Sequence, residues 1–511
     1  MLRVNISKAN IIKSAPILIL IGCWAADFTN QTFDYSNNLT QLLYILLYYA
    51  FCETRISQTW IHNAVMCVAI FLIGGFYYNI VTQDYTSDIF DSRVSYAIHL
   101  AVLLPLIVGR LRVNLRKWGL LKAIVRVCII VSALSVLVVA ESRVAIVAVV
   151  LVLLIQSYPK WAKWKQRNVI ICVAAAGLLS SIYFLYKWKE DSVLGRLTIY
   201  KVLVRGISES PLSGTGSGGF HRTYMLQQSK YFEENHNDST AILADSIVYP
   251  YNEGLGFAYK YGVPTTVLAV AFLLLIIGRH ISSRYVDLNR QYLWSLLIFC
   301  FIGLFSFPTH YCTMNVWGLW VLAQLSCDEM NKPCLRKYIY GLTIIIGTCV
   351  VAIQALNAKE EKAWKNAQEL LLNAKSGLSE YEELLPKLHD HPLFLYNYAA
   401  ELNFVRNYTK STEILSLCQQ RLNNYDTELL AADNAISLGQ DSMALQHLKC
   451  AHYMVPARFY PLSGMLTVYI NMGDTLHADS VAEIILRKEV KIPSADINFI
   501  KKRATNWLKK Q

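Results

Sequence analysis

The feature that most constrains the fold of this sequence is a series of long apolar blocks separated by short charged connectors. Of the 511 residues, 54% are hydrophobic and 16% are charged. Bilayer hydrocarbon offers no hydrogen-bond partner to exposed backbone, so each block must form a helix. The sequence therefore predicts an all-α, polytopic membrane protein of about 11 transmembrane helices. The spans are expected near residues 10–26, 40–52, 61–80, 95–109, 119–139, 144–157, 168–186, 254–278, 291–306, 313–326 and 338–356.

The formal net charge of +12 is explained by topology. Lysines and arginines concentrate on alternate connectors, for example 110–117, 160–167 and 279–290, while Arg93 and Arg143 are alone on the connectors between them. The positive-inside rule makes the basic set cytoplasmic, so the charge does not indicate a nucleic-acid partner. In a bacterium this predicts a multi-pass inner-membrane protein whose N-terminus is cytoplasmic and retained as a signal anchor, since no A-x-A cleavage site follows it.

Two segments are then predicted to lie in the periplasm. The first is a polar loop over residues 187–250, within a transmembrane domain over 1–356, and the second is a soluble helical domain over 357–511. In this tail, Gly439, Ala444 and Leu448 are followed 34 residues later by Gly473, Ala478 and Ala482. That period is typical of tetratricopeptide repeats, which bind protein partners, and a generic helical bundle is the alternative. Cys418 and Cys450 could pair in an oxidising periplasm.

The candidate site begins with arginines on the outer side. Arg143 opens the sixth span, where an arginine can also be a simple interfacial anchor. Arg196, Lys201, Arg205 and Arg222 all belong to the loop that faces the same side. Guanidinium groups bind phosphate oxygens bidentately, so this group suits a lipid-linked pyrophosphate.

Two patterns surround these arginines. Between Leu194 and Ile207 apolar and basic residues interleave, which predicts a helix lying along the membrane surface that ends before Pro211. Residues 214–219 contain a formal G-x-G-x-x-G, but no βαβ unit surrounds it, so we interpret these glycines as a tight turn rather than a nucleotide site.

Possible proton acceptors follow the loop. Glu253 stands next to Tyr251 and Asn252, immediately before the eighth span, and His310 lies on the next outer connector. Either side chain could take a proton from an acceptor hydroxyl. The alternatives are that Asn252 and Glu253 cap a helix and that His310 is an exposed turn residue. No spacing typical of metal ligands is present, so no metal and no cofactor are predicted.

The loop and its flanks resemble the O-antigen ligase and O-antigen polymerase superfamily, which includes bacterial protein O-oligosaccharyltransferases. The resemblance covers about residues 140–310, and the tail is similar to a tetratricopeptide extension that some members carry. It rests on the order and shared sidedness of Ser142-Arg143, Leu194-Gly195-Arg196, Ser210-Pro211-Leu212-x-Gly214-x-Gly216, Asn252 and Gly262-Val263-Pro264-Thr265.

The resemblance implies a metal-independent glycosyltransferase that moves a glycan from undecaprenyl pyrophosphate to a hydroxyl. The favoured acceptor is lipid A core, as for an O-antigen ligase; a protein or a growing glycan are the alternatives. Arg143 and Arg196 would hold the pyrophosphate, with Lys201, Arg205, Arg222, Tyr251 and Asn252 also assigned to substrate binding.

One position departs from the family pattern. Members usually carry histidine immediately before Asn252 as the acceptor-activating base, whereas this sequence has Tyr251. A phenol with a pKa near 10 is a poor base at neutral pH. Either Glu253 or His310 takes the role, or the acceptor differs, or the protein is inactive. A membrane transporter or flippase and a membrane-anchored scaffold are the more distant alternatives.

Overall fold

The computed structural model describes residues 8–32, 34–54, 57–82, 92–114, 120–161, 187, 190–236, 238–282, 287–326, 333–373 and 377–510. The regular elements in these ranges are helical. The helices of the apolar part are α1 (Lys8–Thr29), α2 (Tyr35–Glu53), α3 (Gln58–Thr82), α4 (Arg93–Asn114), α5 (Leu120–Val139), α6 (Arg143–Trp161), α7 (Glu190–Glu209), α8 (Gly219–Glu234), α9 (Glu253–Ser282), α10 (Asp287–Gly303), α11 (Cys312–Ser326) and α12 (Pro333–Asn373).

The apolar blocks of the sequence form helices, as predicted. The block at 168–186 lies outside the described residues, and each of the other blocks coincides with one helix. The segments Thr59–Thr82, Glu253–Ile281 and Lys337–Leu370 are long and apolar enough to cross a membrane, and shorter apolar helices accompany them. The chain is therefore an α-helical protein of membrane type. The number of spans stays a prediction.

Helix α4 lies at the centre of the apolar helices. It packs against α3, α5, α6 and α10, and its residues Leu100, Ala101 and Ile107 are completely buried. Apolar side chains on the outer surface of the helices are exposed instead: Phe71 is 61% exposed and Ile344 is 68% exposed. Large exposed apolar side chains on long helices are expected where the solvent is lipid.

The tail is a row of antiparallel helices, and its turns repeat. Arg406, Gly439 and Gly473 have φ angles of 66°, 70° and 73° at the turn of three successive hairpins. The helices are α13 (Gly377–Leu388), α14 (Pro392–Phe404), α15 (Tyr408–Gln419), α16 (Tyr425–Ser437), α17 (Asp441–Met454), α18 (Tyr460–Met472), α19 (Thr475–Arg487) and α20 (Ala495–Leu508). The helical spacing is confirmed, and the tetratricopeptide assignment stays a prediction.

The small residues of the tail repeat are buried where the hairpins pack. Ala444 and Ala478 are fully buried, and Leu448 and Ala482 lie in the same apolar cluster. The cysteines, in contrast, do not pair. Cys418 packs among α14 to α16 with its Sγ 3.3 Å from the Pro392 carbonyl oxygen, whereas Cys450 lies in a different cluster, so both are free thiols.

Helix α7 forms over the predicted stretch, but its apolar side faces protein. Val202 and Leu203 are fully buried against α8, α9 and the tail. Phe220 and Tyr259 cover Val202 and Leu203, so these two residues face protein rather than lipid. The position of α7 along the membrane surface stays a prediction. Leu197 and Val204 stay exposed on the other side.

Candidate functional site

The first arginine lies at a tight turn. Helix α5 ends at Val139 and α6 begins at Arg143, with Glu141 in the left-handed region at φ 52°. Ser142 is buried beside it, and its hydroxyl oxygen has no hydrogen-bond partner among the described residues. The first turn of a helix carries unpaired N–H groups and a positive dipole end. This turn therefore offers an anion both a guanidinium group and a helix N-terminus.

The second arginine completes the same cavity. Arg143 and Arg196 both line a cavity of about 510 Å³ between α4, α6, α7 and α10, which we call the arginine cavity. Burial, and to a smaller extent the charge of Arg143, lower the pKa of Arg196, while Tyr200 and Tyr251 oppose that shift. Two like charges on one concave surface favour a doubly charged anion such as a diphosphate.

Arg196 is held from two directions. Its Nη1 donates to the Phe305 carbonyl oxygen at 3.0 Å, and its guanidinium carbon lies 5.4 Å from the centre of the Tyr251 ring. Tyr251 is itself fixed, since its carbonyl oxygen accepts from the Tyr200 hydroxyl at 2.9 Å. These contacts orient the guanidinium group without neutralising its charge.

The glycine turn meets a break in α9. Backbone N–H groups of Thr215 and Gly216 donate to the carbonyl oxygens of Tyr259 and Lys260, at 2.9 and 2.8 Å. Gly262 has φ 80° inside α9, and a Cβ there would collide with the Leu212 carbonyl group. The predicted turn is confirmed. It joins the loop rigidly to a membrane helix, which positions α7 and α8.

The segment 249–253 packs on the outer connector that follows α10. The side chain of Asn252 accepts from the Leu255 N–H at 2.9 Å and donates to the Leu304 carbonyl oxygen at 3.1 Å, so Asn252 caps α9. The Oε1 atom of Glu253 accepts from the Thr309 N–H at 2.8 Å. The predicted alternative, a capping role, therefore describes Asn252 well.

His310 is the most accessible proton acceptor of this group. It is exposed, and its Nε2 lies 3.2 Å from the Tyr249 hydroxyl oxygen. The Tyr249 ring stacks on Phe307 with centroids 4.1 Å apart. Glu253 and His310 interact electrostatically, so the two candidates form one cluster.

Three of the predicted basic residues lie elsewhere. Arg205 forms a bidentate ion pair with Glu234 at 2.6 and 2.7 Å, and Lys201 lies 3.9 Å from Asp238. Arg222 lines a second cavity. Arg143 and Arg196 therefore share one cavity, whereas these three lie outside it because α7 and α8 turn their side chains away; binding of a pyrophosphate by any of the five stays a prediction.

The second cavity has a volume of about 930 Å³ and was not predicted. We call it the tail cavity because α14 and the segment after α15 form one of its walls. Lys260 and His221 line this cavity, and they interact electrostatically with Glu253 and His310, respectively. Burial and the neighbouring charges of Lys260 and His310 lower the pKa of His221 to about 4. Lys260 gave no sequence signal, since a single lysine near a span end is ordinary.

Among the described residues, no group of three or more His, Cys, Asp or Glu side chains could hold a metal ion.

The fold and the cavity define an α-helical protein of membrane type in which two arginines, one at the start of α6 and one within α7, line the same cavity. Residues 127–270 match the family described as O-Antigen ligase, which places this segment in the O-antigen ligase superfamily and confirms the resemblance drawn from the sequence. The matched segment contains Arg143, Arg196 and Gly262. It supports a function in glycan transfer. No curated protein matches the chain.

Proposed function

We propose that this protein transfers a glycan from undecaprenyl pyrophosphate to an acceptor hydroxyl at the periplasmic face of the inner membrane. The observation that carries the proposal is the convergence of Arg143 and Arg196 on one cavity between apolar helices. We favour lipid A core as the acceptor, as for an O-antigen ligase. A protein hydroxyl or a growing glycan is the alternative acceptor.

The proposed topology follows the charge pattern. About 11 spans would place the N-terminus in the cytoplasm, and the 187–250 loop and the 357–511 tail in the periplasm. The arginine cavity lies where the starts of α4 and α6 and the end of α10 meet, which this topology would put at the periplasmic side. A lipid carrier could then keep its polyprenyl chain in the bilayer while its diphosphate reaches both guanidinium groups.

In the proposed step, the acceptor oxygen attacks the anomeric carbon of the donor sugar. The bond between that carbon and the phosphate oxygen breaks, and its electron pair leaves with the lipid pyrophosphate. Arg143, Arg196 and the first turn of α6 stabilise the charge that develops on this leaving group. Metal binding is not needed for this stabilisation, because two fixed guanidinium groups supply the positive charge.

The acceptor proton goes to His310 in this proposal. His310 is exposed at the connector, whereas the Glu253 carboxylate already accepts from the backbone of Thr309. Histidine is the side chain most often used as a general base. Glu253 is then a positioning residue that holds the connector on which His310 stands. The Tyr249 hydroxyl, 3.2 Å away, orients the imidazole.

A deletion strain of the native host tests the function directly. Glycan gels would show complete polymer stranded on the lipid carrier if lipid A core is the acceptor. Single repeat units in place of polymer would indicate a polymerase, and glycan missing only from proteins would indicate a protein oligosaccharyltransferase. Unchanged glycans in all three pools would contradict the proposal.

A further inference from the structure

We propose that the tail helices complete a saccharide-binding site beside the transfer site. The inference rests on the proposed function and concerns the tail cavity. Its walls come from the end of the glycine turn and the start of α8, residues 246–248, Lys260 and Tyr261 of α9, four residues near the start of α2 (Gln31, Thr32, Asp34 and Asn37), and the tail residues Asp390, Pro392, Leu393, 420–422 and Asn424. The tail would thus contact substrate, beyond any role in binding a protein partner.

The tail is fixed to the loop by hydrogen bonds. The Asn423 N–H donates to the His221 carbonyl oxygen at 3.1 Å, and the Gln228 side chain donates to the Met454 carbonyl oxygen at 2.6 Å. Gln228 is almost fully buried, so this bond lies inside the interface. A pair of ionic contacts adds to it at the rim, Lys449 to Glu233 and Arg458 to Asp245.

The same interface contains a shared apolar core. Side chains from the loop and from the tail form one buried cluster, which includes Phe220, Tyr224, Met225, Tyr425, Ala451 and Met454. Burial of such a cluster stabilises the contact by far more than surface ion pairs can. The tail wall of the cavity is therefore a fixed part of the structure.

The chemistry of the lining suits a polyhydroxylated ligand. Arg222 and Asp34 present opposite charges, and Gln31 and Asn37 present amides. Amides and carboxylates together can both donate to and accept from neighbouring sugar hydroxyls. The volume lies within the roughly 300–1,000 Å³ of ligand sites.

The position of the cavity connects it to the reaction. Val248 lines the tail cavity, and the ring of Tyr251, three residues later, contacts Arg196, which lines the arginine cavity. Lys260 lines the tail cavity and interacts electrostatically with Glu253. A saccharide in the tail cavity could therefore reach the transfer site with one end. It is either the glycan of the donor or a glycan acceptor, and these share the same chemistry.

Filling the cavity from the tail tests the inference. Leu393 lines the cavity and is 56% exposed, so Leu393→Trp narrows the site without disturbing a core. The matched control is Leu476→Trp. Leu476 is also the second residue of a tail helix, is 76% exposed, and lies outside the cavity. Arg222→Ala, with Lys230→Ala on the same helix as control, probes the opposite wall without adding bulk.

The probe is the free glycan released by mild acid from the lipid-linked pool of the native membrane. We expect binding to the full chain in nanodiscs, measured by saturation-transfer NMR, to weaken roughly tenfold in Leu393→Trp and Arg222→Ala and to stay unchanged in both controls. In transfer assays, a raised KM for the donor assigns the site to the donor glycan, and a raised KM for the acceptor assigns it to the acceptor.

The inference would be overturned if Leu393→Trp and Arg222→Ala bound the free glycan as wild type does and kept the wild-type KM for both donor and acceptor. The proposed function is tested separately, with Arg143→Ala and Arg196→Ala. We expect these two variants to abolish transfer and to leave binding of the free glycan intact. If the arginine variants transfer normally while Leu393→Trp loses glycan binding, the diphosphate site is wrong and the saccharide site stands.

Discussion

The guanidinium carbon of Arg196 lies 5.4 Å from the centre of the Tyr251 ring, across the face of the aromatic system. The resemblance drawn from the sequence implies a histidine at the position of Tyr251, whose backbone has φ 51°, a conformation that non-glycine residues seldom adopt. A cation–π contact of this kind stabilises by about 0.5–2 kcal/mol. Under the proposed function, Tyr251 orients the arginine that binds phosphate and is not the base.

We predict that Tyr251→Phe keeps transfer within about twofold of wild type, because the ring face that contacts Arg196 is unchanged. Tyr251→Ala should lower kcat/KM by roughly tenfold through loss of that contact. The pH profile of kcat is the decisive measurement, and it should be the same for Tyr251→Phe as for wild type. Loss of activity in Tyr251→Phe would show that the hydroxyl itself takes part.

Gly262→Ala should prevent the loop from docking on α9. The added Cβ would meet the Leu212 carbonyl group, and φ 80° is strained for alanine. We expect a destabilisation of about 1–3 kcal/mol, seen as a lower melting temperature in detergent and a loss of transfer. Gly278→Ala in the same helix is the matched control, since a Cβ there meets no atom within 4 Å. Equal behaviour of the two variants would refute the role given to the break.

Arg205→Ala should leave transfer within about twofold of wild type, because Arg205 is engaged by Glu234 on the surface between α7 and α8. The KM for the donor should not change. The sequence predicted that Arg205 binds substrate, whereas the structure shows it paired with Glu234, so this variant distinguishes the two roles. A donor KM raised as far as in Arg196→Ala would restore the sequence assignment.

His452 makes the tail sensitive to acid. Burial, together with the charges of Lys488 and His236, lowers its pKa from 6.5 to about 3. Between those values the unfolded chain binds the proton and the folded chain does not, so stability is complete above pH 6.5 and falls as pH drops toward 3. The slope reaches about 1.4 kcal/mol per pH unit.

The measurement for His452 is hydrogen exchange of α17 at pH 7 and pH 5, corrected for intrinsic rates. Wild type should lose protection at pH 5, and His452→Leu should lose less. His389→Leu serves as control, because the His389 side chain is 59% exposed. Identical loss of protection in wild type and His452→Leu would assign the acid sensitivity to other groups.

Much of the fold follows from local pattern, and the site follows only partly. The length of the apolar blocks and the alternation of charged connectors predict the helices. Because both arginines are predicted on the same side of the membrane, the sequence also predicts that Arg143 and Arg196 can meet. The direction in which the Arg205 side chain points depends on how α7 packs against α8, and the spacing of residues along the sequence does not determine that packing. The first tail hairpin escaped detection because Arg406 occupies the position that Gly439 and Gly473 hold in later hairpins.

The most direct test of the account compares Arg143→Ala, Arg196→Ala and Arg487→Ala in nanodiscs with the lipid-linked donor. Arg487 is a tail residue whose side chain is 81% exposed and is the control. We predict that transfer falls at least roughly 100-fold in each of the first two variants, with normal membrane insertion, and is unchanged in the third. Normal transfer by both Arg143→Ala and Arg196→Ala would contradict the claim that these two side chains hold the leaving pyrophosphate.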